Sequence, residues 1–290
     1  MLGPLLGAMC ATALAGTPWI HERGASYAKL SEQRFATTGF VAPDGTRQDS
    51  SQYIGWMSAV YAEAGLGRGV QVMASVPYVH SRTEVAGAAF VNRGLGDANV
   101  GVSWGTTLGL PVALTLRSKL PLYDNAHLGV FGPAGGRFPA LGDGQVDVDA
   151  LVSVGTGIAA GSVRGWWLAD VGLRHRTEWW LGDSAQPDRS LGDGVVVRSQ
   201  LGWTPTLRGR DFGWVFVEST LVKAFETDLV TRQSWDLAGG VAMRVGTSGW
   251  ALEVGGSGAM WVEATAPGWA ASVGVSRQSS GRRAQAASGG

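Results

Sequence analysis

The sequence predicts an all-β protein: a transmembrane, up-and-down antiparallel β-barrel of about 12 strands, of the outer-membrane type. Three observations support this fold class. Apolar residues recur at every second position over many segments, the segments are about ten to fourteen residues long, and short and long links alternate between them. The 290 residues include 45 glycines and 13 tryptophans, with 16% charged residues, a composition that suits many strands joined by turns.

Each predicted strand is a segment whose apolar side chains fall on one face. In 96–107, for example, Val100 and Val102 alternate with Gly101 and Ser103. Segment 214–225 is the exception, because its two faces are not clearly separated. No segment matches the helical period convincingly. The predicted strands are 24–34, 52–64, 69–79, 96–107, 112–122, 145–158, 165–178, 194–203, 214–225, 234–245, 250–262 and 268–277.

The energetics of a membrane barrel predict which face meets lipid. An Arg on the lipid face costs about 2–4 kcal/mol near the bilayer midplane. Arg117 lies at the centre of its segment and should therefore point into the lumen. The same pattern predicts a lumen-lining set of Arg117, Lys119, Asp147, Asp149, Asp170, Arg174, Arg176, Glu178, Arg198, Asp236, Arg244 and Glu253. These charges could fill the lumen by pairing across strands, or could form rings that set the selectivity of a polar path.

The links predict the orientation of the barrel. Outer-membrane barrels have short turns in the periplasm and longer loops outside, so both termini should lie in the periplasm. The predicted short links are 65–68, 109–111, 159–164, 204–213 and 246–249. The predicted long links are 35–51, 80–95, 123–144, 179–193, 226–233 and 263–267.

The tryptophans cluster towards both ends of the predicted strands, which is the arrangement of an aromatic girdle at each membrane interface. The predicted inner belt contains Trp104, Trp166, Trp167, Trp203, Trp214 and Trp250. The predicted outer belt contains Trp56, Trp179, Trp180, Trp235, Trp261 and Trp269.

The termini suggest three regions. Residues 1–15 are apolar and end in an Ala-x-Ala pattern, which indicates a signal peptide. Residues 16–277 should form the barrel, and the Gly/Ser/Ala-rich 278–290 a disordered tail. The single cysteine, Cys10, lies in the predicted signal peptide, so the mature chain would contain no disulfide. The net charge of zero gives no electrostatic footprint for nucleic acid.

Short motifs along the mature chain resemble one family of barrels. They include Tyr61-x-Glu63-x-Gly65-Leu66, Pro77-Tyr78-Val79, GLGDANVGVSW from 94 and LGDGQVDVDALVSVG from 141, with Trp19 and Lys29 near the start. These motifs are similar to those of the outer-membrane transporter family of the phenol meta-degradation pathway. The resemblance implies passage of small, often hydrophobic, molecules across the bacterial outer membrane.

Sites for other chemistry have little support in the sequence. No His or Cys spacing suits a metal, and no cofactor is expected. His175 falls on the lipid-facing register, where a barrel lipid hydrolase would need a neighbouring activated hydroxyl. The apolar loop 126–140, with Phe131 and Phe138, could instead collect hydrophobic solutes above the lumen.

We therefore expect a passive outer-membrane pore or transporter for small organic molecules, hydrophobic and aromatic ones included, rather than an enzyme. The expected partners are outer-membrane lipid, a small-molecule solute and the outer-membrane assembly machinery, without nucleic acid. The alternatives are a plugged structural or adhesion barrel, a barrel lipid hydrolase and a soluble secreted β protein.

Overall fold

A computed structural model describes residues 17–280 except 42–43, 86, 124–140, 143, 161–162, 181–191, 208–209, 227–232 and 264. The predicted signal peptide, the end of the tail, and Phe131 and Phe138 of the long loop lie outside the described residues. Within the described part no helix is long and apolar enough to span a bilayer.

The described chain is all-β, as predicted. Its strands are β1 (Ser26–Val41), β2 (Arg47–Gly67), β3 (Val70–Val85), β4 (Ala88–Leu95), β5 (Asp97–Leu108), β6 (Leu110–Pro121), β7 (Gln145–Ala160), β8 (Val163–Trp180), β9 (Gly194–Thr204), β10 (Thr206–Leu207), β11 (Arg210–Asp211), β12 (Gly213–Ala224), β13 (Gln233–Val245), β14 (Trp250–Glu263) and β15 (Gly268–Ser279).

The strands close into a barrel. Neighbours in the sheet are antiparallel, and β1 pairs with β2 on one side and with β15 on the other, so Ser26 lies opposite both Ala64 and Ser279. β4 and β5 both pair with β3 and act as one strand, while β10 and β11 form a small separate hairpin. The predicted closed, antiparallel barrel of 12 strands is confirmed.

A β-bulge at Gly96 divides β4 from β5. Val76 and Pro77 of β3 face the three residues 96–98, because Tyr78 pairs with Leu95 and Ser75 pairs with Asn99. The backbone N–H of Gly96 donates to the Pro77 carbonyl at 2.9 Å, which keeps the two strands together across the irregularity. A proline fits at such a bulge because it cannot donate to a regular ladder.

The two faces of the sheet have opposite exposure. Apolar outward side chains such as Leu30 and Leu114 are exposed, whereas inward polar side chains such as Ser103 and Thr115 are fully buried. This inversion suits a barrel whose outer face meets hydrocarbon, because lipid then takes the place of a hydrophobic core.

The strands at the long-link end extend further than predicted. The predicted links 35–51 and 80–95 are largely strand: β1 continues to Val41, β2 begins at Arg47, β3 continues to Val85, and the whole of β4 was missed. Outward positions there are polar, as at Arg82 and Glu84, so the apolar alternation fades while the backbone ladder continues. At the other end β15 runs to Ser279, past the predicted barrel limit of 277.

The tryptophans divide differently from the prediction. Trp104, Trp167, Trp203 and Trp250 at the short-link ends, and Trp56, Trp235 and Trp269 at the long-link ends, are exposed. Trp166 and Trp214 instead line interior cavities and do not belong to a belt. Both occupy the inward register of their strands, which Trp166 shares with the buried Asp170 and Trp214 with the buried Glu218. Contact of the outward rings with the membrane interface remains a prediction.

Candidate functional site

One side of the interior is a ladder of ion pairs between β6, β7 and β8. The register places Arg117 opposite Asp149 and Lys119 opposite Asp147. Arg117 Nε donates to Asp149 Oδ2 at 3.2 Å, and Arg174 Nε donates to Asp149 Oδ1 at 2.8 Å. Each aspartate is thus held by a cation of β6 and an arginine of β8, because β7 lies between those two strands.

Asp147 repeats this arrangement one inward position further along β7. Lys119 Nζ lies 2.9 Å from Asp147 Oδ2, and Arg176 Nε lies 3.1 Å from Asp147 Oδ1. In water such pairs would be weak, but the side chains of both aspartates are buried here, where charge interactions are screened less.

The ladder continues across β9 and β12. Arg198 Nη2 lies 2.6 Å from Asp170 Oδ2, and Arg198 Nη1 lies 3.4 Å from Glu218 Oε2. Gln200 Nε2 donates to the same Glu218 oxygen at 2.9 Å. All these side chains are largely buried, so this wall carries balanced charge rather than a ring of one sign.

The remaining predicted lumen residues are less uniform. Glu253 accepts from Lys29 at 2.6 Å and from the Tyr27 hydroxyl at 2.9 Å, and Asp236 accepts from Ser234 at 2.8 Å. Arg244 lines a cavity at the short-link end. The side chain of Glu178 lies outside the described part of the structure.

The opposite side of the interior carries small residues. Inward Gly240 of β13, Gly255 of β14 and Ser272 of β15 lie in one row across the sheet. A cavity of about 180 Å³ lies against this row and reaches Phe216 and Gln33. The small inward residues of these three strands therefore leave open space beside the filled, ion-paired wall.

Residues 17–25 fold back across the short-link mouth. The backbone N–H of His21 donates to Gln71 Oε1 at 2.9 Å, and His21 Nε2 lies 3.0 Å from Glu63 Oε2. The segment then reaches inward glycines of distant strands: a Cβ at Gly155 of β7 would lie 2.6 Å from Pro18 and 2.8 Å from Trp19. Because Gly155 has no side chain, the N-terminal segment can pack directly against β7 there.

Beside this segment lies a larger cavity of about 780 Å³. Its wall combines Trp19 and Ile20 of the N-terminal segment with Trp214 and Arg244 of the barrel. The N-terminal segment thus covers part of the mouth, and the cavity occupies another part.

The long-link half of the interior contains a buried apolar cluster. Phe35 and Tyr53 pack edge to face with ring centroids 5.8 Å apart. The other members of the cluster are Met57, Val79, Tyr123, Leu141, Ala266 and Ala270. The Tyr123 hydroxyl donates to Asp97 at 2.8 Å and accepts from the Gly144 backbone N–H, so it links the residues that follow β6 and precede β7 to the start of β5.

Several interior residues were missed by the sequence interpretation. Glu218 was hidden because Trp214 and Phe216 share its inward face and blur the contrast with the outward valines of β12. Lys29 and Glu63 lie on inward positions of strands whose alternation was predicted, so the rule that turns charges inward would have found them.

His175 lies on the outward face, and the structure shows a carboxylate as its partner. Its Nδ1 atom is 3.0 Å from Asp193 Oδ2. Burial would raise the pKa of Asp193, but hydrogen bonds from His175 and from the backbone N–H of Arg176 outweigh it and lower that pKa. In the described ranges no group of three or more His, Cys, Asp or Glu side chains is arranged to hold a metal ion.

Comparison with solved structures identifies the fold. An outer membrane channel from Pseudomonas putida F1 aligns over 92% of this chain and 99% of its own, with 12% identity and a TM-score of 0.61. A monoaromatic hydrocarbon channel covers 96% of both chains at 9% identity and a TM-score of 0.44. The translocator domain of an autotransporter from Neisseria meningitidis covers 89% of both at 14% identity and a TM-score of 0.45.

Searches of family models and of curated proteins find no match to this chain. The likeness to the Pseudomonas putida channel, together with the closed barrel, shows that the chain has the fold of an outer-membrane β-barrel.

Proposed function

We propose that this protein is a passive channel of the bacterial outer membrane for small, weakly polar organic molecules. The observation that carries the proposal is that two cavities among the described residues adjoin: one of about 780 Å³ at the short-link mouth and one of about 180 Å³ further in, beside the small residues of β13 to β15. The larger cavity lies within the range of about 300–1,000 Å³ that is typical of small-molecule sites.

The charge arrangement favours weakly polar solutes over ions. Arg117, Lys119 and Arg198 each have a carboxylate partner on a neighbouring strand, so they give no ring of like charge to attract ions. The open side presents glycine and serine together with aromatic rings, and its charged residues Lys29 and Glu253 pair with each other. The resemblance to transporters of the phenol degradation pathway supports the same class of solute, with aromatic molecules included.

A second candidate function is a closed barrel that conducts nothing. It is favoured by the N-terminal segment, whose residues Pro18 and Trp19 contact β7 on the far side of the mouth. Planar-bilayer recordings separate the two, because a closed barrel should give no conductance steps at any voltage.

The first prediction concerns uptake. Bacteria with an intact lipopolysaccharide layer should accumulate naphthalene several-fold faster when they produce this protein, because the layer slows apolar solutes and the barrel would bypass it. Gas chromatography of washed cells measures the rate. Fractionation of the membranes and a heat-modifiable band in detergent gels show whether the barrel reached the outer membrane. Equal uptake with and without a correctly inserted barrel would contradict the proposal.

A further inference from the structure

The mouth cavity of about 780 Å³ and the inner cavity of about 180 Å³ meet at a collar formed by Tyr27, Trp166, Gln200 and Trp214. These four side chains line both cavities. Trp166, Gln200 and Trp214 come from β8, β9 and β12 of the ion-paired wall and Tyr27 from β1, so the collar spans the interior between that wall and β1. A solute that moves from one cavity to the other would have to pass the rings of Tyr27, Trp166 and Trp214.

The polar atoms of two collar rings have hydrogen-bond partners on other strands. The Trp166 indole N–H donates to Gln200 Oε1 at 3.1 Å, and the Tyr27 hydroxyl donates to Glu253 Oε1 at 2.9 Å. Because the indole N–H and the phenol hydroxyl already have hydrogen-bond partners, the carbon surfaces of the rings line the passage. A buried indole or phenol requires such partners, so these hydrogen bonds keep the two rings in place.

Glycines set the position of the rings. Trp166 pairs directly with Gly202, and a Cβ at Gly202 would overlap the indole ring. Phe216 pairs directly with Gly240, where a Cβ would lie 2.8 Å from the phenyl ring. Each ring thus lies over a glycine on the neighbouring strand, an arrangement that also stabilises the sheet. A side chain at position 202 would push Trp166 away from the wall and towards the passage.

We propose that this collar is the selectivity site of the channel and admits flat, unsaturated ring molecules in preference to saturated rings of the same carbon number. The proposal rests on the proposed function of solute passage. Aromatic solutes stack or pack edge to face on aromatic side chains and gain affinity beyond that from buried area. Saturated rings are thicker and lack this interaction.

The test compares the uptake of naphthalene with that of decalin, its saturated counterpart, after subtraction of uptake by cells without the protein. The wild type should favour naphthalene about two- to tenfold. Trp166→Ala should bring the ratio close to one, chiefly by faster passage of decalin. Trp167→Ala is the matched control, because the neighbouring indole points outwards and is exposed.

A second variant tests whether Gly202 sets the position of the Trp166 ring. Gly202→Ala should slow both solutes, and decalin more, by moving the Trp166 ring into the passage. Gly157→Ala is its control, since a Cβ there has no atom within 4 Å. Heat-modifiability in gels establishes that each variant folds.

The outcomes separate the two proposals. No channel-dependent uptake of naphthalene by the wild type would overturn the proposed function and the collar together. Channel-dependent uptake whose naphthalene-to-decalin ratio is unchanged in Trp166→Ala would overturn the collar alone. A change of the same size in Trp167→Ala would also overturn it, because that ring does not line the passage.

Discussion

Individual charges in this barrel have two environments with different energetic consequences. Asp149 lies inside between Arg117 and Arg174, whereas the Arg82–Glu84 pair lies outside and is about half exposed. Removal of one partner from a buried pair leaves an uncompensated charge and costs about 3–5 kcal/mol, whereas an exposed pair contributes about 0–1 kcal/mol. The two pairs therefore provide a matched comparison.

Asp149→Asn should lower the free energy of unfolding by about 3–5 kcal/mol, because two buried guanidinium groups lose their shared carboxylate. Glu84→Gln is the control and should change it by less than about 1 kcal/mol. Urea unfolding in lipid vesicles, followed by tryptophan fluorescence, measures both values. Equal effects of the two substitutions would show that the inner pair stabilises the barrel no more than the exposed pair does.

At the scale of elements, β13, β14 and β15 differ from the rest of the barrel in the size of their inward side chains. The row Gly240, Gly255 and Ser272 leaves space, while Leu151 and Leu168 on β7 and β8 are fully buried in a filled wall. The register of neighbouring strands brings small residues side by side, so the open space extends across three strands.

Ser272→Leu should reduce naphthalene uptake several-fold without unfolding the barrel, because the new side chain enters the cavity of about 180 Å³. Ala271→Leu is the control, since the adjacent position on β15 is exposed on the outward face. The measurement is the rate of naphthalene uptake divided by the amount of barrel inserted in the outer membrane. Similar uptake by the two variants would mean that solutes do not use this cavity.

At the scale of the whole molecule, the N-terminal segment joins strands that are far apart in the sheet. It contacts β2 and β3 through His21, and β7 through Pro18 and Trp19. Gly24 and Gly65 also share a backbone hydrogen bond of 2.9 Å, which fixes the segment where it enters β1. The segment therefore limits the opening at the short-link mouth.

Deletion of residues 17–24 should increase single-channel conductance in planar bilayers, because the cross-section of the mouth would widen. His21→Ala should give a smaller increase or more frequent steps, as it removes the contact with Glu63 but leaves the chain in place. Arg23→Gln, at an exposed position of the same segment outside the lining of the mouth cavity, is the control. Unchanged conductance after the deletion would show that the narrowest part of the barrel lies elsewhere.

Much of the fold could be predicted because period-two alternation depends on local sequence. The outward leucines of β6 and the inward Arg117 both follow from it. The prediction fails where the two faces do not differ in polarity. Glu32 and Arg34 lie on the outward face, against the inward rule, and Arg34 packs over the Trp56 ring at 5.9 Å. A charge near a membrane interface costs about 0–1 kcal/mol, so the rule weakens there.

The candidate site could be predicted in part. The inward direction of the charges on β6 and β7 could be predicted, because both segments alternate clearly and a charge on the lipid face is costly. The collar could not be identified, because Tyr27, Trp166 and Trp214 are far apart in the chain. Alternation with Asp170 places Trp166 on the inward face and Trp167 on the outward face, but no local pattern shows which other rings lie beside Trp166.

The sequence by itself determined that this protein is a closed barrel with polar side chains inside, because alternation and strand length depend on near neighbours. Only the tertiary structure decided which parts of the interior are filled and which are open. Closure of the sheet brings Tyr27 to Glu253 and His21 to Glu63, and seats Trp166 over Gly202. Such contacts follow from the shape of the closed barrel, since its curvature and register place residues that no local pattern relates.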